Sequence, residues 1–131
     1  MILKSENQVC SFELSQELEK LGVKQNSIFY WRKYSLCKNT DLYYIPNKET
    51  DLLILSGKLE YNYSAFTVAE LGEILPVGVD ITKVWDRPKL LVNKFWEIKF
   101  EGIDYIFEDK NIVNAMAKML IYLLENNLIK L

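Results

Sequence analysis

The sequence predicts an α+β fold: an antiparallel sheet of about four strands with helices mostly on one face, in the order α-β-β-loop-α-β-β-α. Three observations carry this. The run KNIVNAMAKMLIYLLEN at 110–126 is helical in period and apolar around most of its circumference. The run FTVAELGEILP at 66–76 encodes both the start and the stop of a short helix. The segments around them are short, aromatic and β-branched, as strands are. Strands and helices in this mixture, without a βαβ alternation, describe an antiparallel sheet backed by helices.

Taken in order, Ser5 and Gln8 have capping-box spacing, which predicts a first helix over 6–21. Leu14, Leu18 and Leu21 share one of its faces. Gly22 is placed to end it in a left-handed turn, with Val23 folding back on Leu18. SIFYWRKY at 27–34 reads as a strand with Phe29 and Trp31 on one face and Ile28, Tyr30 and Tyr34 on the other. Large rings on both faces predict a central strand. Residues 42–45 read as a second strand, which Pro46 ends. Residues 47–63 are poorly determined: Leu59, Tyr61 and Tyr63 alternate with polar residues as a half-exposed strand does, and a long loop fits as well.

In the 67–75 helix, Thr67 and Glu70 form the capping box, Phe66 and Leu71 the hydrophobic staple, and Pro76 the stop. Residues 77–92 read as loop, with a short strand around 81–85. Residues 94–100 and 103–107 read as a hairpin, with Gly102 in the left-handed region of a type I turn and bulge. Phe95, Glu97 and Lys99 should face one way, Trp96, Ile98 and Phe100 the other. Asp109 is the expected cap of the terminal helix. The helix-then-strands order after Phe12 and again after Phe66 has the outline of a duplication.

The 131 residues are expected to form a single domain, 1–131, of a size able to bury about two thirds of its unfolded surface. Half the residues are hydrophobic, a quarter charged, and the mean hydropathy is −0.05, which is globular composition. No apolar run approaches the ~20 residues of a bilayer span, and the N-terminus lacks a signal-peptide core. A net charge of −2 argues against a broad electrostatic grip on nucleic acid. Among 16 basic residues only Arg32 and Arg87 are arginines, the side chain best suited to bidentate phosphate recognition. The two cysteines, Cys10 and Cys37, form no CxxC and read as reduced thiols of a cytoplasmic protein. There are 0 histidines, which removes the usual triads, the usual zinc sites and the usual neutral-pH base.

Each chemical candidate has a structural explanation. Glu70 is used by the capping box, and Glu73 is expected to face solvent. Glu108 and Asp109 suit a helix N-terminus without any ligand. Asp104 could meet Glu97 or Glu101 across the hairpin only in one register. Cys10 and Cys37 lack a histidine to activate them and are expected in apolar surroundings. No catalytic, cofactor or metal residues are assigned. The surplus of aromatic and aliphatic side chains, with the broad apolar face of the last helix, points to a partner surface.

YSAFTVAELGEILP at 63–76 and NAMAKMLIYLLENNLI at 114–129, with VCSFELSQELEKLGVKQNSIFYW at 9–31, resemble a family of small uncharacterised phage and prophage proteins. Residues 35–60 contribute nothing to the resemblance. It implies a cytoplasmic product of a phage or mobile element and carries over no activity and no catalytic residues.

The expectation is therefore a small non-enzymatic binding or accessory protein acting through protein contact, with a homodimer through the last helix as its simplest form. Met116, Met119, Leu120, Leu123 and Leu124 would be the partner surface. The alternative source of cover for that helix is Leu14, Leu18 and Leu21 of helix one. A rival reading is a small-molecule site or a carboxylate-based enzyme with a pocket between the sheet and helix 67–75. A third is single-stranded nucleic-acid binding through Tyr30, Trp31, Arg32, Lys33 and Tyr34, with rings for stacking and cations for phosphate.

Overall fold

The computed structural model describes residues 8–36, 38–44, 58–85 and 94–131. Among them are three helices and six strands, so the α+β class holds. The strands form two three-stranded antiparallel sheets in place of the expected four strands. The chain divides into two compact units, Met1–Thr67 and Val68–Leu131.

The first unit contains helix α1 (Phe12–Lys20) and strands β1 (Phe29–Tyr34), β2 (Asp41–Tyr44) and β3 (Leu59–Ser64) in the spatial order β2-β1-β3. Strand β1 is central, as its two ring-bearing faces predict. Helix α1 is shorter than the expected 6–21. Its cap is Ser11, which accepts a hydrogen bond from Leu14 N at 3.3 Å. The preceding residues are committed to strand-like pairing: Val9 bridges Thr67, and Cys10 N donates to Phe66 O at 3.0 Å. A helix through Val9 and Cys10 would forfeit those bonds, and Ser5 lies outside the described residues.

The end of α1 matches its sequence signature. Gly22 has φ +87°, Gly22 N donates to Glu19 O at 3.0 Å, and Val23 N donates to Leu18 O at 3.0 Å. Leu18 and Val23 are both buried. Phe12 meets Tyr61 and Tyr63 of β3, with ring centroids 5.6 and 5.8 Å apart. So the β3 rings turn toward the helix, and the alternation at 59–63 is that of a strand.

The second unit contains α2 (Val68–Ile74), β4 (Val79–Trp85), β5 (Lys94–Phe100), β6 (Ile106–Asp109) and α3 (Ile112–Glu125), with strands in the order β4-β5-β6. A full seven-residue strand, β4, occupies what reads in sequence as loop with a short strand. Its register with β5 is unbroken from Val79↔Phe100 to Trp85↔Lys94. Long-range pairing to a hydrophobic partner decides this, and local propensity does not reveal it.

The hairpin also differs from expectation. Gly102 is left-handed at φ +86°, and Ile103 N donates to Phe100 O at 3.1 Å, so the turn spans Phe100–Ile103. Glu101 has no positive φ, which places glycine at the third position as in a type II turn. Strand pairing resumes only at Lys99↔Ile106, so the second arm starts later than 103. The first unit has its first strand in the middle and the second unit its second, so the two units do not repeat one topology.

Helix α3 is capped by Asn111, not Asp109. The Asn111 side chain accepts from Val113 N at 2.8 Å, while Asp109 Oδ1 accepts from Asn111 N at 2.9 Å. Asp109 is still paired in β6 with Trp96, and the helix begins only at Ile112, which puts Asn111 and not Asp109 at the cap position. At the other end Asn127 adopts φ 55° and Leu128 N returns to Leu123 O at 2.9 Å, a left-handed ending with asparagine in place of glycine. Asn111→Ala should lower stability by about 1 kcal/mol, read as a shift in the urea midpoint at unchanged slope. Asp109→Asn, which leaves the cap intact, should cost less. The opposite order would return the cap to Asp109.

Candidate functional site

The five residues expected as a partner surface lie on α3. Met116 is 2 % exposed, and Met119, Leu120 and Leu123 are 0 % exposed. Leu124 is half-buried. The expectation of a free surface at Met116, Met119, Leu120 and Leu123 is therefore corrected: they are core. The broad apolar face is covered because α2, β5 and β6 of the same unit all pack against α3. A methyl group at Gly72 of α2 would lie 3.9 Å from the Met116 Cε, ordinary contact distance, so the Met116 side chain reaches α2 there. Ile98, at the middle of β5, is fully buried. A short helix and a sheet together supply the cover that sequence reasoning sought from helix one or from a second copy.

The polar stripe of α3 borders β6. Lys118 Nζ donates to Asp109 Oδ2 at 2.8 Å and to Glu108 O at 3.2 Å. One turn later the Tyr122 ring lies 5.4 Å from Phe107 and 5.2 Å from Tyr105, whose own centroids are 5.7 Å apart. This ladder sits at the edge strand of the three described strands. Its outer end is open: Tyr105 is 59 % exposed. The next residue, Ile106, is 44 % exposed on the other face of the strand. Sequence reasoning placed Tyr105 in a strand arm without separating it from Phe107. Only the late start of β6 sets it beyond the paired residues.

The second feature is on β1. The residues 30–34 do not make one platform, because strand alternation divides them. Trp31 Nε1 donates to Cys10 O at 2.9 Å, on the side where α1 meets β3. Lys33 Nζ is paired to Glu60 Oε2 at 2.6 Å, and Tyr34 is 7 % exposed. What remains is Tyr30 and Arg32. The Arg32 guanidinium carbon lies 5.1 Å from the Tyr30 ring centroid and 5.9 Å from that of Tyr43 on β2. Its Nε donates to Asn62 Oδ1, directly across on β3, at 2.8 Å. Tyr43 and Asn62 are invisible as neighbours of Arg32 until the register is known.

The other candidates are placed as follows. Cys10 is buried with its Sγ 3.0 Å from Ser15 Oγ; Cys37 lies outside the described residues. Asp104 lies before β6 pairing begins, and Glu97 faces Glu108 across β5 and β6, with Lys99 Nζ 3.9 Å from Glu97 Oε2. Among the described residues no three acidic, cysteine or histidine side chains gather as a metal site would require. Glu70 and Glu73 lie on α2. No helix among the described residues is long and apolar enough to cross a membrane.

If Met119 is core, Met119→Ala should cost about 2–5 kcal/mol, and Tyr105→Ser at the open end of the ladder should cost far less. Paired urea denaturation curves test the contrast. Equal small effects would mean that Met119 is at the surface after all. Comparison of the chain with family models, with curated proteins and with solved structures gives no match in any of the three.

Proposed function

We propose that this chain is a small non-enzymatic binding or accessory protein of phage or prophage type, cytoplasmic, acting through protein–protein contact. The observation that carries the reading is the open aromatic ladder at the start of β6, with Tyr105 exposed beside Phe107 and Tyr122, and Ile106 exposed on the opposite face of the strand. Large apolar side chains held in fixed positions at a sheet edge favour contact with another protein over a solvated surface. Tyrosine suits such a surface, since it offers wide contact area with few torsions to freeze. The resemblance of 63–76 and 114–129 to small phage proteins supports the origin. The contact is assigned to the β6 edge, since the apolar residues of α3 are already covered. A homodimer built on this edge would pair the same patch of two copies.

A photo-crosslinking residue placed at position 105 in cells producing the protein tests this. It should form a discrete adduct with a second copy or with one other protein. The same residue at position 101, in the hairpin turn, should form none. Equal, diffuse labelling from both positions would contradict the reading.

A further inference from the structure

We infer that Arg32 is a recognition point for a small oxoanion, a carboxylate or a phosphate, on the face of the first sheet opposite α1. The inference stands independently of the contact surface on β6. It begins with the register. Arg32 sits between Asp41 on β2 and Asn62 on β3. Asp41 is the natural ion-pair partner directly across, yet among the described residues no carboxylate oxygen lies within 4.0 Å of the guanidinium. The side chain is held by neutral groups: the Asn62 amide oxygen on Nε, and the rings of the cross-strand pair Tyr30 and Tyr43.

Those groups are themselves anchored. The Tyr30 hydroxyl accepts from Ser27 N at 3.3 Å and donates to Gln25 O at 3.5 Å. The Tyr43 ring meets Tyr34 edge-on at 5.7 Å, and Tyr34 is buried. The guanidinium is thus pre-positioned, and the entropy normally lost on ordering a long cationic side chain is already spent. Asn62 uses the Nε donor, which leaves the pair of terminal nitrogens as a planar fork. That fork matches two oxygens of a carboxylate or a phosphate. Stacking on tyrosine favours the charged guanidinium without neutralising it. Lys33, the adjacent cation, is already engaged with Glu60, so Arg32 alone among these two cations has its charge open to an oxoanion group, with Asp41 across from it beyond ion-pair distance.

The chain has only two arginines, so Arg87 serves as an internal control. Nitrogen-15-labelled protein is titrated with sodium phosphate and, separately, with sodium acetate, each against sodium chloride at equal ionic strength. The expected result is a saturable shift of the Arg32 Nε–H signal that chloride does not reproduce and Arg87 does not follow. A response to phosphate alone identifies a phosphate-bearing ligand; a response to acetate, a carboxylate. In Arg32→Lys the saturable response of the Tyr30 and Asn62 backbone amides should be lost, while the rest of the spectrum reports an intact fold. Arg32 shifts no larger than those in chloride, shifts parallel to Arg87, or an undiminished response in Arg32→Lys would overturn the inference.

Discussion

The second unit depends on one requirement, the cover of helix α3. Its apolar residues Val113, Met116, Met119, Leu120 and Leu123 span too much of the helix for one neighbouring layer to hide. Burying each side chain of this size is worth roughly 1.5–3 kcal/mol relative to exposure, so leaving half of them in water is not an option for a chain of this length. Helix α2 answers the requirement together with β5 and β6. Its span, Val68–Ile74, lies within the start and stop signals of 66–76, and the end of the Met116 side chain lies at ordinary contact distance from a side chain at position 72. The polar stripe, left over, lies along β6, where Lys118 and Tyr122 find Asp109 and the two aromatic rings.

Cover for α3 also changes where a partner could bind. A wide apolar helix face read in isolation suggests a dimer interface, because sequence shows the need for cover and not its source. Once α2 and the sheet supply it, the remaining exposed apolar groups on this unit include Tyr105 and Ile106 at the edge strand. Edge strands with large exposed side chains are unusual in monomers, which protect such edges with charge or proline. The first unit presents a different surface, an arginine held by tyrosines and an amide, whose chemistry is polar and specific.

Local signals were legible in the sequence and long-range ones were not. The left-handed end of α1 at Gly22, the central position of the ring-rich strand β1, the glycine conformation at 102 and the α+β class all follow from near neighbours. The start of α1 was not legible, since the pairing of Val9 and Cys10 with residues 66–67 joins segments far apart in the chain. Of β4 only the 81–85 part was legible as strand, for the same reason: its full length, Val79–Trp85, is set by pairing with β5. Both features singled out as candidate sites depend on register as well. Arg32 announces itself as a rare residue, but Asn62 and Tyr43 become its neighbours only through β1 pairing. Tyr105 is one of eight tyrosines, and nothing in its local sequence marks it as exposed.

The central claim is that α3 is covered by its own chain. Amide hydrogen exchange across residues 116–123, followed over a dilution series, tests it most directly. The account predicts strong protection that stays constant from high micromolar to nanomolar concentration. Protection that falls on dilution would show that a second copy covers the helix and would contradict the account.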